Sequence, residues 1–386
     1  MQKFTFYNPT RIYFGKNAID NLATELSKFG NNILLAYGGG SIIKGGLYDI
    51  VKAICGRCGK TVYEVSGIMP NPRTEKVYEG IEICKKHDVD LILAVGGGSV
   101  IDCVKAMAAG AKTDKDFWQT FYRNKEKCEA ATPIGVILTL PATGSEMNSG
   151  SVVTKWDENL KTDYTDDCLY PHFSILDPTY TYTLPANQII YGAVDTLAHA
   201  FEQYFSAPDD DNPSDYLAEA VILNVISNVE KALACPTDYE ARSNLMWDST
   251  MALNRVIGCG KRQDWNSHMI EHALSGFYDI PHGAGLAIVF PNWMRYVRHL
   301  CLGRFVRFAE RIWGVNPKGK TDDEIALEGI QAVQDYFRSI GAPTTLTEVG
   351  IPAEHIEEIA AKVELTEGGY QPLTQKDVVE ILKAAV

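Results

Sequence analysis

The sequence predicts an α/β domain built on a parallel sheet, followed by an all-helical domain, and three observations carry that prediction. Short apolar, β-rich runs alternate with helical stretches through the first half of the chain. Two of those runs end in the same Gly-Gly-Gly-Ser turn, at Gly38–Ser41 and Gly96–Ser99. Beyond about Ala186 the strand-like runs stop, and helix follows helix with Pro and Gly between them.

Taken in order, strands are expected in NILLAYGGG, TVYEVSG, DLILAVGGG and PIGVILTLPA. Each is short and continuously apolar, as a strand covered on both faces of a parallel sheet must be. The stretches SIIKGGLYDIVKAICG, TEKVYEGIEICKKHD and SVIDCVKAMAAGA read as the helices between them. Such repetition builds a doubly wound, Rossmann-like domain. The change of character after FSILDPTYTYTLP places the boundary between Asp177 and Pro185, giving an α/β domain over 1–180 and an all-helical one over 181–386. AEAVILNVISNVEKALACP and EIALEGIQAVQDYFRSIGA are the clearest helices of the second part.

A chain of 386 residues suits two domains of ordinary size, and 46% apolar residues supply a core for each. The net charge of −13 argues against nucleic acid, whose partners concentrate Lys and Arg. Apolar runs such as GLAIVF are too short to span a bilayer. The opening MQKFTFYNPT has neither the basic start nor the apolar stretch of a signal peptide, so a soluble, cytoplasmic protein is expected. Nine scattered cysteines fit a reducing compartment. Cys55 and Cys58 form a CxxC, but no second pair accompanies it and Gly56 and Gly59 mark a fraying helix end, so no role is assigned to it.

Each glycine turn follows a buried strand and opens a helix, which offers backbone N–H groups to an anion and lets it approach closely. Two such turns in one sheet favour a nucleotide, although neither is the G-x-G-x-x-G fingerprint. TLPATGSEMN, from Thr139 to Asn148, follows another strand and either lines the same cleft or is a polar loop. Asp102 and Lys105 stand one turn apart after the second glycine turn, where an acid also simply complements the helix dipole.

The stretch from His268 to Gly283 holds three of the eight histidines. Asp195 and His199 are four apart and share a helix face, with Cβ atoms roughly 6 Å apart. His268 and His272 repeat that spacing, and His282 follows a turn and Pro281. One carboxylate with two or three imidazoles from separate helices suits Fe²⁺ or Zn²⁺. Spacing alone leaves open which of His268 and His272 is the ligand.

The motifs RIYFGKNAI, AYGGGSIIKGG, MPNPR, AVGGGSVIDCVKAM, TLPATGSEMN, LDPTYTYTLP, GAVDTLAHAFEQY and QDWNSHMIEHALSGFYDIPHG span nearly the whole chain. In this order they resemble the iron-containing (group III) alcohol dehydrogenase family, and most closely its branch of butanol dehydrogenases and NADPH-dependent aldehyde reductases. The resemblance implies a dehydroquinate synthase-like fold and one divalent metal, Fe²⁺ or Zn²⁺, held by Asp195, His199, His268 and His282. It sets His272 beside substrate and nicotinamide as the candidate proton relay. It places the dinucleotide at Gly38, Gly39, Gly40 and Ser41, at Asn71, at Gly97, Gly98, Ser99 and Asp102, and at Thr139, Lys161 and, as a weaker match, Ser145.

NAD-preferring members of the family tend to carry Asp where this chain has Gly39, so NADP(H) is expected over NAD(H), with Lys44 a nearby candidate partner for the 2′-phosphate. The implied reaction is reversible hydride transfer between a short- to medium-chain alcohol and the nicotinamide, with the metal as Lewis acid, running as butanal to butanol. Trp265, Phe277 and Tyr278 either favour an unbranched, modestly apolar substrate or belong to the core. The family also implies a homodimer, with FTFYNPTRIYF adding to a sheet edge. The competing readings are a glycerol- or propanediol-type polyol dehydrogenase, a lyase like dehydroquinate synthase, and a non-catalytic nucleotide- or metal-binding protein. The lyase reading is weakened because HMIEHALSGFYDIPHG contains no Lys or Arg for a phosphorylated acid.

Overall fold

The computed structural model describes residues 1–386. Eight strands, β1 (Arg11–Phe14), β2 (Asn32–Tyr37), β3 (Thr61–Val65), β4 (Leu91–Gly97), β5 (Ile134–Leu140), β6 (Gly150–Lys155), β7 (Leu160–Thr165) and β8 (Phe173–Leu176), fall into two sheets. Six form one sheet in the order β1-β8-β5-β4-β2-β3, with every neighbouring pair parallel. β6 and β7 pair as a separate antiparallel hairpin, which continuous apolar runs did not announce because its strands are half polar. Helices α1 (Leu22–Leu26), α2 (Ser41–Lys44), α3 (Leu47–Arg57), α4 (Thr74–Lys86) and α5 (Gly98–Gly110) lie between the strands.

The continuous apolar runs are explained by the period of two along a strand. In β2, Leu34 and Ala36 enter one core while Ile33, Leu35 and Tyr37 enter another. In β4, Ile92 and Ala94 divide from Leu91, Leu93 and Val95 in the same way. Val77 of α4 and Ile101, Val104 and Met107 of α5 cover the first face, and Leu22 and Leu26 of α1 with Val51 of α3 cover the second.

This strand order creates a switch point. From β2 the chain moves outward to β3, then returns to β4 on the other side of β2 and continues to β5. The crevice between the carboxyl ends of β2 and β4 is where open α/β sheets take ligands. Both glycine turns lie there, for β2 ends one residue before Gly38 and β4 runs directly into α5.

The remaining helices are α6 (Ala186–Tyr204), α7 (Pro213–Ala234), α8 (Tyr239–Leu253), α9 (Asn266–Tyr278), α10 (His282–Val297), α11 (Leu302–Trp313), α12 (Asp322–Ser339), α13 (Ile356–Ala361) and α14 (Gln375–Lys383). No strand occurs after β8. The chain forms two compact units: Tyr7–Leu184 with Pro236–Thr250, and Met1–Phe6 with Pro185–Cys235 and Met251–Val386. The return of 236–250 to the sheet unit has no local signal in the sequence. It is held there by side chains, as Trp247 meets the Phe14 ring edge-on at 5.8 Å and Thr250 Oγ1 donates to Glu146. In the helical unit an aromatic core joins Phe201, Phe205, Phe290, Trp293 and Phe308. No helix is long and apolar enough to cross a membrane.

Leu93 sits in a central strand with no exposed surface. Leu93→Ala is expected to cost about 3 kcal/mol through lost burial and the cavity left behind, read as a lower midpoint in urea unfolding.

Candidate metal centre and cofactor turns

In the helical unit, α6 starts after Pro185 and carries Asp195 and His199 on one buried face. α9 carries His268 and His272 one turn apart, and ends where Asp279 adopts a left-handed φ of 52°. Pro281 then turns the chain so that His282 is the first residue of α10. Gly283 follows because α10 abuts α6, and a Cβ there would stand 2.2 Å from the Tyr191 carbonyl oxygen.

These three helices converge on Asp195 Oδ1. His199 Nε2 lies 3.5 Å from it, His282 Nε2 3.6 Å and His268 Nε2 3.9 Å. Four donors bound at about 2.1 Å to one tetrahedral ion stand about 3.4 Å apart. Asp195 Oδ1 is buried and receives no hydrogen bond. A buried carboxylate oxygen without a donor, ringed by three imidazole nitrogens, fits a divalent cation that would compensate its charge. Burial lowers the His199 imidazole to about 4, so it is neutral near pH 7, as a ligand must be. The side chains of Asp195, His199 and His268 are almost completely enclosed, whereas that of His282 is 23% exposed.

Between the two histidines of α9 the geometry discriminates. His268 groups with Asp195 and His282, whereas His272 groups with Glu271 and His282, its ring 5.6 Å from that of His282. His272 therefore stands beside the ligand cluster, on the side of His282, and is itself buried. The Trp265 ring is 5.2 Å from that of His268 and 6.1 Å from that of His199, and forms an aromatic wall. Tyr278 turns away and bonds His355, and Phe277 is half-buried.

Two carboxylates complete the arrangement and escaped the sequence reading. Glu202, fully buried, faces His268 Nδ1 at 3.0 Å and accepts the His268 backbone N–H at 3.1 Å. Glu271, also fully buried, pairs with His282 Nδ1 and accepts from Ser275 Oγ. Each fixes its imidazole with Nε2 toward Asp195, the usual carboxylate–histidine support of a metal site. Burial, reinforced by Asp264, pushes the Glu202 carboxyl well above the usual range. Glu202 pairs with an imidazole on another helix and Glu271 with one beyond the turn that ends its own helix, so neither contact has a signal in the local spacing.

In the sheet unit, α5 begins at Gly98 with no residue between strand and helix, and Gly97 and Ser99 are half-buried at its N-terminus. Gly98 is required by packing, since a Cβ there would meet Thr143 Cγ2 at 2.4 Å. Gly39 has open space around it and Ser41 and Lys44 are exposed, beside Gly40 at a left-handed φ of 102°. Thr139 is half-buried at the end of β5.

Asn71 is buried at φ 51°, and the loop holding it is tied to the hairpin where Thr154 N donates to the Pro72 carbonyl at 2.8 Å. Thr154 is the register partner of Lys161, also buried, so the hairpin brings Lys161 and the Asn71 loop together.

Asp102 and Ser145 face inward. Asp102 Oδ1 accepts from Ser145 Oγ at 2.6 Å, and Oδ2 accepts from Val152 N at 3.0 Å. Lys105, fully buried, donates to Ser145 Oγ at 2.7 Å, Asn148 Oδ1 at 3.0 Å and the Gly150 carbonyl at 2.8 Å. Together they clamp the loop after β5, and the start of β6, onto α5.

Family models match both parts of the chain. "Iron-containing alcohol dehydrogenase" covers residues 9–178, and "Fe-containing alcohol dehydrogenase family, C-terminal" covers 189–386. The chain belongs to the iron-containing alcohol dehydrogenase family. Among its relatives, a probable NADH-dependent butanol dehydrogenase 2 of Bacillus subtilis is 47% identical over the whole of both chains. The NADPH-dependent aldehyde reductase YqhD of Escherichia coli is 37% identical over 94% of this chain and 93% of its own. The crystal structure of NADH-dependent butanol dehydrogenase A from Thermotoga maritima superposes with a TM-score of 0.96 at 42% identity, covering 100% of this chain and 99% of that one. The family resemblance and the fold class read from the sequence both hold.

Glu202→Gln is expected to weaken Zn²⁺ binding by 10- to 100-fold, because His268 loses the carboxylate that orients it; competition with a chromogenic chelator reads this directly. Lys105→Met should cost about 2 kcal/mol or more by leaving three buried acceptors without their charged donor, seen in urea unfolding, and should weaken nicotinamide-cofactor binding measured by fluorescence.

Proposed function

We propose that this chain is a metal-dependent, NAD(P)H-linked alcohol dehydrogenase that works chiefly as an aldehyde reductase on short- to medium-chain aldehydes of the butanal type. The observation that carries the proposal is the ring of three imidazole nitrogens around the undonated Asp195 oxygen. Family membership and the butanol dehydrogenase and aldehyde reductase relatives support the same reading.

Asp195, His199, His268 and His282 would hold one Fe²⁺ or Zn²⁺, which when bound supplies Lewis acidity toward the substrate oxygen. The nicotinamide supplies or accepts the hydride. Glu202 and Glu271 hold two of the imidazoles in orientation. His272 gives a proton to the substrate oxygen in reduction and takes it back in oxidation. Trp265 excludes water from one side and offers an apolar wall to the carbon chain. The glycine turns and the N-terminus of α5 receive the pyrophosphate, and Asn71, Thr139 and Lys161 bound the rest of the dinucleotide.

NADPH is the preferred donor on this reading. Open space at Gly39 leaves room for the 2′-phosphate, and no acid stands there to repel it. The relatives divide on this point, some being named NADH-dependent and others NADPH-dependent. A polyol substrate is the second reading, favoured by the 28% identical 1,3-propanediol dehydrogenase of Citrobacter freundii. The chain is proposed to act in the cytoplasm as a homodimer, with β1 at the sheet edge and Phe14 exposed on it.

NADPH consumption with butanal should vanish on chelation and return with Fe²⁺ or Zn²⁺. Persistence without metal would overturn the metal-dependent mechanism, and absence of turnover with either ion would pass the test to 1,3-propanediol and NAD. Gly39→Asp, which meets no steric obstacle, should lower kcat/KM for NADPH by tenfold or more while sparing NADH; an unchanged ratio would remove Gly39 as the determinant.

A further inference from the structure

Beside the first glycine turn the fold assembles a charged cluster that no local pattern in the chain announces. Tyr37 ends β2, and Gly38 of the turn follows it directly. β3 lies next to β2 in parallel register, with Glu64 opposite Leu35 as its last residue but one. Backbone bonds lace the end of β3 to the turn. Gly67 N donates to the Gly38 carbonyl at 3.1 Å, and Ile68 N to the Tyr37 carbonyl at 3.3 Å.

Glu64 collects three donors there. Tyr37 Oη donates to Glu64 Oε2 at 2.9 Å, Tyr48 Oη to Oε1 at 2.9 Å, and Lys52 Nζ to Oε1 at 2.7 Å. Tyr48 and Lys52 are four apart on α3 and share one of its faces. Partial burial would raise the Glu64 carboxyl, but Lys52 and the two phenols outweigh it and hold the group below its usual value. The carboxylate is therefore ionised near neutral pH, and the Lys52 ammonium cancels its charge. The phenols already tie Glu64 to β2 and α3, so what Lys52 adds is the charge.

In dinucleotide-binding sheets an acid about twenty residues beyond the glycine turn bonds the ribose 2′-hydroxyl, whereas a nearby cation accommodates a 2′-phosphate. Glu64 stands at a comparable remove from the first turn, on the strand beside the one that carries it, and brings a cation with it. We infer that Glu64 and Lys52 form a charge-compensated pair that sets the preference between NADPH and NADH, Lys52 cancelling the repulsion that Glu64 alone would exert on a 2′-phosphate. This rests on the dinucleotide site proposed above and adds to it a determinant besides Gly39. Both side chains reach solvent, Lys52 at 34% and Glu64 at 29% exposed, so salt screens their effect.

The test titrates full-length, zinc-loaded protein with NADPH and with NADH at low ionic strength and reads the ratio of the two Kd values from cofactor fluorescence. Damage to the fold, or to the part of the site both cofactors share, cancels in that ratio. Lys52→Met leaves a bare carboxylate and should disfavour NADPH relative to NADH by about threefold or more, while Glu64→Gln leaves a bare ammonium and should move the ratio as far the other way. The double variant carries neither charge and should return to the wild-type ratio, and about 0.5 M salt should shrink both single-variant shifts. Lys60→Met removes the same charge at the opposite end of β3, where Lys60 Nζ bonds the Phe29 and Gly30 carbonyls, and should leave the ratio unchanged. Shifts of one sign in both single variants, or a ratio unmoved in either, would overturn the inference. A wild-type preference for NADH with the opposed shifts intact would support the pair and overturn only the NADPH reading. Wild-type protein that binds neither dinucleotide would overturn both.

Discussion

The helical unit is organised around one electrostatic obligation: a carboxylate oxygen, Asp195 Oδ1, is enclosed by protein and given no hydrogen-bond donor. A buried anion left so is costly, and the surrounding sequence is arranged to make a cation its partner. The i, i+4 spacing brings His199 alongside it on α6, α9 lends His268, and the tight Asp279–Pro281 turn delivers His282 at the first position of α10. The three helices must keep their rotations and their close approach for the four donors to face one point. Packing residues remote from the chemistry, such as Gly283 against Tyr191, are thereby drawn into it.

Around that point, charge is distributed in layers. Among the imidazoles, His199 is kept neutral by burial. Behind two of them stand Glu202 and Glu271, which hold the rings they touch in orientation. His282 is partly exposed, and buried His272 lies beside it. On the proposed reading, ligation and proton handling fall to neighbouring histidines of one short stretch, which would account for its density of imidazoles.

Much of this was legible in the chain because it is local. Helical periodicity exposed Asp195 and His199, continuous apolar runs exposed β2, β4 and β5, and the repeated glycine turns marked the switch point. What stayed hidden depends on distance or on rotation. His268 and His272 share a helix face, so only the packing of α9 against α6 and α10 decides which meets Asp195. Glu202 and Glu271 look like ordinary solvated helix acids until their burial is known. Ser145 lies far from Asp102 and Lys105 in the chain, and only the fold shows its hydroxyl joining the two. The segment 236–250 joins partners far along the chain, where no local pattern exists to be read.

The direct passage of β4 into α5 has a consequence for binding. With no loop between them, strand and helix act as a single rigid strut, and α5 is buried along nearly its whole length. Its leading N–H groups are therefore already aimed before any anion arrives, and little conformational freedom remains to be surrendered on association. On the proposed cofactor reading, preorganisation sets affinity at that end of the site, and ligand preference falls to the more open first turn at Gly39.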